Sequence, residues 1–220
     1  MIVGIVIRFV VVVAVAYLLG GIPFGLIIGK KFYHIDVREH GSGNLGATNV
    51  FRTLGMKAAI ATLVLDAAKG AAAVGFAYAV FLSSGDLIQE WAMIAATIAA
   101  VGGHSYSPYI RFGGGKGVAT AAGALLVLTP APWPVLLVLF VAVVGLSRMV
   151  SLGSVIIAVA YPLLCLAFYP GDWPIIVFSF GIAALVIWRH RSNIVRIVHG
   201  QESKISLSGR GNVARRKDAS

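Results

Sequence analysis

The strongest constraint on this chain is a set of apolar stretches too long and too continuous for a soluble fold. Residues 2–28 run almost without a polar side chain, and further apolar runs cover 56–82, 91–101, 118–128, 135–146, 152–168 and 173–188. They do not alternate with period two, so they predict helices, and the longest match the ~20 residues needed to cross a bilayer. Hydrophobic residues make up 59% of the chain and charged residues 12%, with a mean hydropathy of +0.91. Soluble domains average about 45–50% apolar and about 25% charged, and one of this size has too little interior to hide the excess. Lipid demands that backbone polar groups be satisfied within the segment, which selects helices. The expected fold is an all-α membrane protein, a polytopic helical bundle.

The polar residues between the runs set the topology. Lys30, Lys31, Arg38, Arg52, Lys57, Arg111, Lys116, Arg148 and the basic cluster from Arg189 to Lys217 fall on one side of a seven-segment arrangement. Asp86, Glu90 and Asp172 fall on the other, in loops without Lys or Arg. The positive-inside rule then places the N-terminus outside and the C-terminus in the cytoplasm. Arg8 is an exception, expected to snorkel outward from a helix end. Runs 91–101 and 118–128 are short for a crossing, so five spans plus re-entrant segments is the alternative, with the same sidedness. Ala14-Val15-Ala16 faintly imitates a signal-peptidase site, but apolar sequence continues through Gly20-Gly21-Ile22-Pro23, which favours a retained span kinked at Pro23. The net charge of +10 lies mainly in these flanking loops, which suits anionic lipid headgroups and gives no case for nucleic acid. The lone Cys165 excludes a disulfide within the chain and any cysteine-based metal site. Residues 1–204 form the expected membrane domain, and 205–220 a basic tail expected to be disordered.

Three polar segments share the basic side. The first is Gly41-Ser42-Gly43-Asn44-Leu45-Gly46-Ala47-Thr48-Asn49-Val50-Phe51-Arg52. Its glycines free backbone donors, Ser42, Asn44, Thr48 and Asn49 add side-chain hydrogen bonds, and Arg52 offers a planar fork suited to phosphate oxygens. A helix beginning near Thr48 would put Arg52 one turn beyond its start. The second runs from Gly102-Gly103-His104 through Arg111-Phe112 into Gly113-Gly114-Gly115-Lys116-Gly117. Glycine lets a backbone approach a ligand closely, Lys116 supplies a point charge, and a helix opening at Val118 would direct its positive end at the same spot. An anion cradle is one reading of the pentapeptide and a glycine hinge the other. It is not a nucleotide P-loop, because Gly117 follows Lys116 where Ser or Thr is required. The third contains Arg189, His190, Asn193, Arg196, Gly200 and Glu202; His190 and Asn193 would share a helix face.

Several chemistries are absent. The histidines lack His-Glu-x-x-His spacing, there is no Gly-x-Ser-x-Gly elbow, and neither His104 nor His190 is followed five residues later by Asp. No metal or cofactor is expected. Asp66 and Lys69 stand three apart in an apolar run, where a lone charge is costly, so mutual pairing or a polar cavity must receive them; structural pairing is the leading reading and a supporting role in the phosphate site the other. A transporter of organic phosphates would put these two at the midplane, but the polar motifs gather at one face without an internal repeat. A lipid-binding scaffold would need basic rims but not such ordered Gly/Ser/Asn patterns.

These motifs resemble the bacterial acyl-phosphate:glycerol-3-phosphate acyltransferases, the Y-type membrane enzymes. The likeness spans nearly the whole chain: Gly20-Gly21-Ile22-Pro23-Phe24-Gly25, the Gly41–Arg52 segment, Asp66 with Lys69-Gly70, Gly103-His104 through Thr120, and Arg189-His190 with Asn193, Gly200 and Glu202. Gly113 departs from the pattern, since many relatives carry Lys or Arg there. The resemblance implies transfer of an acyl group from acyl phosphate to the 1-hydroxyl of glycerol 3-phosphate, yielding lysophosphatidic acid at a bacterial cell membrane, with neither acyl-CoA nor acyl carrier protein as donor. Its implied partners are both substrates, membrane lipids and the soluble enzyme that makes acyl phosphate. It implies phosphate binding by Ser42, Asn44, Arg52 and Lys116, further substrate contacts from Gly43, Asn49, His104, Gly114, Gly115, Gly117 and Glu202, with Glu202 also expected to support the site from behind or anchor the tail, and orientation of the hydroxyl by His190 and Asn193. His190, Asn193, Lys116 and Ser42 are the expected catalytic set. The proton acceptor is His190 or a donor phosphate oxygen.

Overall fold

A computed structural model describes residues 2–205. The described residues are helical or loop, and they fall into two compact units, 2–127 and 128–205. The expected tail, beyond Ile205, lies outside the described residues.

The first unit begins with α1 (Ile2–Gly21) and α2 (Phe24–Tyr33). The expected kink at Pro23 is a break: Pro23 has no N–H to donate, and its carbonyl starts α2 by accepting from Leu26 and Ile27 at 3.0 Å each. After a single 3-10 turn at Val37–Glu39 come α3 (Ala47–Leu54) and α4 (Met56–Phe81). The run 91–101, expected to be short, is the middle of α5 (Asp86–Ser105), a 20-residue helix. Its polar ends conceal it from hydropathy, because Asp86, Gln89 and Glu90 form its first turns and Gly102–Ser105 its last. The 11-residue α6 (Val118–Leu128) starts where Val118 was expected to open a helix.

Helices in this unit meet through small residues, the usual solution where lipid removes most of the hydrophobic drive for association. A Cβ on Gly20 of α1 would collide with the Ala100 carbonyl of α5, and one on Gly103 of α5 with the Tyr17 carbonyl of α1. The same reciprocity joins α4 to α6, where Gly70 abuts the Thr120 carbonyl and Gly123 the Ala67 carbonyl. Two buried hydroxyls return to their own helices: Thr62 donates to Ala58 O and Thr97 to Met93 O, both at 2.9 Å. Arg8 does not simply snorkel. Its guanidinium donates to Val80 O (3.3 Å) and Ser84 Oγ (3.2 Å) and lies over the Phe81 ring, capping the C-terminal end of α4.

The second unit holds α7 (Trp133–Ser147), α8 (Val150–Phe168), α9 (Trp173–Arg189) and α10 (Arg191–Val198). Asp172 caps α9 by accepting from Ile175 N at 3.2 Å. Gly153 of α8 packs against Phe140 and Val144 of α7. Tyr161 and Thr129 satisfy each other at 3.0 Å. The α9–α10 pair bends by 62°.

By length and apolarity, three stretches among the described residues can cross a membrane, namely Ile2–Tyr33, Met56–Phe81 and Val150–Phe168, with the bent α9–α10 pair as a fourth. Exposed Val3, Val10, Val138, Val141 and Leu163 are the surface that lipid would cover.

The packing makes opposite forecasts for two glycines. Gly123→Val puts a side chain onto backbone of α4, so unfolding in detergent followed by intrinsic fluorescence should show a loss of at least ~1–3 kcal/mol. Gly75→Ala, which meets nothing within 4 Å, should be neutral or stabilise by up to ~1 kcal/mol. Equal effects would refute the close α4–α6 contact.

Candidate active site

The Gly41–Gly46 loop of the first unit is built on a small core of its own. Leu26 and Ile28 of α2, Ile35, Val37, Leu45, and Val50 and Leu54 of α3 form one buried cluster. Asp36 fixes the approach to the loop. It caps the 3-10 turn through Arg38 N (3.0 Å) and pairs with Arg38 (2.6 Å) and Lys30 (3.2 Å). The Arg38 guanidinium beside it holds its carboxyl well below the usual carboxylate range.

Asn49, one of the expected substrate contacts, clamps the loop with its amide. It is 1% exposed, donates from Nδ2 to Val37 O (2.9 Å) and His40 O (3.1 Å), and accepts from Ser42 N at 2.8 Å. Gly41, at φ +62°, passes so close that a Cβ would strike Asn49 Oδ1. Asn44 makes an Asx turn, accepting from Gly46 N at 2.9 Å. Ser42 and Gly43 are exposed at the crest, and half-buried Arg52 lies on α3, the helix expected to carry it.

The Gly113–Gly117 loop folds back on the end of α5. Gly115 N donates to His104 O (3.0 Å) and Ser107 N to Gly113 O (2.9 Å), so at least one amide expected to face a ligand is engaged by protein. The glycines allow this approach. A Cβ on Gly114 would strike the carbonyls of His104 and Ser105, and one on Gly115 would fall on His104 Nε2. Gly117, at φ +79°, turns the chain into α6 beside Val101. Lys116 is half-buried within this loop. Buried Ser105 has a hydroxyl without a protein partner, close to Gly117; such an orphan is a donor an oxygen-rich ligand would use.

Beneath the loop lies an ionic cluster. Asp66 Oδ1 is 2.7 Å from Lys69 Nζ and 3.6 Å from His104 Nδ1, with exposures of 1%, 4% and 7% for Asp66, Lys69 and His104. Lys69 also donates to Ile22 O at 2.7 Å and lies over the Phe24 ring. Ser107 Oγ donates to Gly21 O at 2.6 Å. Together with Gly21–Gly25 and Leu45 these residues line a cavity of about 10 Å³, room for roughly one water molecule. Pairing and a polar cavity were alternatives for Asp66 and Lys69 in the sequence, and the structure has both.

In the second unit His190 stands at the α9–α10 bend, 2% exposed, with Nδ1 2.8 Å from Val186 O. Asn193 follows on the first turn of α10, and its Nδ2 donates to Glu202 Oε1 at 2.7 Å. Glu202 also accepts from Ser151 Oγ (2.8 Å) and Arg196 Nε (2.8 Å). These bonds, with Ile205 N donating to Arg148 O at 2.8 Å, fasten the end of the described chain to α8 and α10. Of the two roles expected for Glu202, substrate contact and tail anchor, these bonds suit the second. Burial raises its carboxyl pKa, but the bonds from Asn193, Ser151 and Arg196 outweigh that and leave it lowered.

Comparison with known proteins gives this arrangement a family. The glycerol-3-phosphate acyltransferase family model matches residues 10–200. The chain belongs to the glycerol-3-phosphate acyltransferase family. A glycerol-3-phosphate acyltransferase of Listeria monocytogenes is 46% identical over 190 residues, covering 86% of this chain and 93% of its own. That of Synechocystis is 44% identical over 200 residues, covering 87% and 88%. A crystal structure of the integral membrane acyltransferase PlsY in its glycerol 3-phosphate form superposes with a TM-score of 0.80 at 35% identity, covering 90% of this chain and 96% of that one. The lysophosphatidic acid form gives 0.79 at 34%, covering 91% and 97%. This acyltransferase is thus a membrane protein of the PlsY kind, in phospholipid synthesis.

The sequence offered no hint that Asp66 reaches His104, a contact across 38 positions that only the folded chain creates. Ser105 had no signal beyond its place in the motif.

Glu202 makes a pH forecast. A lowered carboxylate pKa contributes stability that is present above the ordinary value of 4.5 and lost as pH falls through the folded value. Glu202→Gln should lower the melting temperature at pH 7, by roughly 1–3 kcal/mol in stability. The gap to wild type should hold above about 4.5 and narrow as pH falls below it; a gap independent of pH would contradict the ionic latch.

Proposed function

We propose that this acyltransferase moves a fatty acyl group from acyl phosphate to the 1-hydroxyl of sn-glycerol 3-phosphate, releasing lysophosphatidic acid and inorganic phosphate. The observation that carries this reading is the pair of related crystal forms, one with glycerol 3-phosphate and one with lysophosphatidic acid. Those two molecules differ by one acyl group, so they are the acceptor and product of a single acylation.

The acyl phosphate donor is what the family resemblance implies, and the chemistry the chain supplies is compatible with it. An acyl phosphate is already activated, so the reaction needs no covalent enzyme intermediate, in keeping with a chain that offers no elbow serine. The hydroxyl oxygen attacks the acyl carbon, the carbon–oxygen bond to phosphate breaks, and phosphate leaves with the bonding pair. The hydroxyl proton passes to His190 or to a phosphate oxygen of the donor. Ser42, Asn44, Arg52 and Lys116 bind phosphate in this scheme, and Lys116 counters charge that develops on the leaving group. Gly43, Gly114, Gly115 and Gly117 let backbone come close. His190 and Asn193 orient the hydroxyl, while Asn49 and Glu202 act by holding the loop and the chain end.

Helices α1 and α4–α9 coincide with the seven apolar runs, which supports seven segments. Charge asymmetry supports an outside N-terminus and a site facing the cytoplasm, where the soluble enzyme that makes acyl phosphate would deliver it. The membrane domain comprises residues 1–204 in this reading, followed by the basic tail.

Purified protein in lipid, given acyl phosphate and glycerol 3-phosphate, should release inorganic phosphate. Lys116→Ala and Arg52→Ala should each cut turnover by at least ~100-fold while the protein keeps its elution profile and melting temperature. Near-normal rates in both variants would refute the phosphate assignments. No release from wild type would refute the donor.

A further inference from the structure

We propose that Asp66 and Lys69 are positioning residues that set the phosphate-binding Gly113–Gly117 loop through His104. The inference rests on the reading of that loop as an anion site.

The geometry forms a chain of contacts within the first unit. Lys69 Nζ is fixed by two acceptors, Asp66 Oδ1 and Ile22 O, each at 2.7 Å, so it ties α4 to the break between α1 and α2. Ser107 Oγ, from the segment after α5, holds the same break through Gly21 O at 2.6 Å. Asp66 Oδ1 then lies 3.6 Å from His104 Nδ1, and the opposite edge of that imidazole, Nε2, lies where a Cβ of Gly115 would stand. His104 O also accepts from Gly115 N at 3.0 Å. The imidazole is thus a spacer between a buried carboxylate and the loop carrying Lys116. Its height is set on one side by Asp66 and on the other by a residue that has no side chain.

Three ionisable side chains in a buried node are costly to keep, and a buried ion pair is seldom a net source of stability compared with apolar packing. Its retention here has a geometric use. Loss of the Asp66 charge lets His104 and the loop settle elsewhere, and a cradle for phosphate oxygens is sensitive to sub-ångström displacement.

The test separates positioning from folding. Asp66→Asn alone leaves Lys69 as a lone buried cation, so the informative variant is Asp66→Asn with Lys69→Gln, which removes both charges. KM for each phosphate substrate and kcat are measured beside wild type, and inorganic phosphate binding by calorimetry. We expect KM for at least one substrate to rise fivefold or more with kcat within threefold, and phosphate affinity to fall by a similar factor. A folding defect lowers kcat through fewer active molecules and leaves both KM values in place. Gly115→Ala, which displaces the loop from the other side, should weaken phosphate binding comparably, and the combined variant should fall short of the sum of the two effects.

Wild-type KM values and phosphate affinity in the folded double variant would overturn the proposal. Should that variant not fold, unchanged phosphate affinity in Gly115→Ala would overturn it as well. Should wild type bind phosphate yet fail to turn over acyl phosphate, the donor assignment falls while phosphate affinity still decides the role of Asp66 and Lys69.

Discussion

An ammonium and a carboxylate inside an apolar helix bundle can persist only if each is the other's solvent. The Asp66–Lys69 pair, 2.7 Å apart and one helical turn from each other, meets that condition. Much of the first unit then follows from where the pair can sit. Lys69 needs a second acceptor and finds it at Ile22 O, next to the proline that breaks α1 from α2. A break in a membrane helix exposes backbone carbonyls, and those carbonyls must be taken up by neighbours. Lys69 from α4 and Ser107 from beyond α5 supply the donors, so three helices are registered at one point.

Around that point the helices need close approach, and the chain provides it with glycine and alanine. The reciprocal contacts of Gly20 with Ala100 and of Gly123 with Ala67 put backbone against backbone in two different helix pairs. The Gly113–Gly117 loop is an extension of the same device, because Gly114 and Gly115 permit a loop to lie on the end of α5. Its glycines answer first to the protein's own packing. The Ser105 hydroxyl nearby, which has no protein partner, is a donor that a ligand would use.

Continuous apolar runs made the helical membrane fold legible in the sequence, and ordered motifs made the family legible. Helix starts at Ala47 and Val118 were visible because a glycine-rich loop gives way there to helix-compatible sequence. The length of α5 was not visible, since hydropathy drops a residue from a span when it is polar, and both ends of α5 are polar. Roles inside the motifs were only half legible. A motif lists residue types, and Asn49 and Glu202 have the types of ligand contacts. Whether an amide or carboxylate faces substrate or backbone depends on which groups the fold brings beside it, and here those are Val37, His40, Ser151 and Arg196. Contacts between distant helices, such as Asp66 with His104, leave no trace in spacing.

The bend at His190 carries one more implication. The Val186 carbonyl can only accept, so an imidazole whose Nδ1 lies 2.8 Å from it must carry its proton there. Neutral His190 is therefore the Nδ1–H tautomer, with its lone pair on Nε2. That leaves Nε2 as the ring nitrogen able to accept a hydrogen bond. The kink that interrupts the helix thus also decides which nitrogen of its histidine carries the proton.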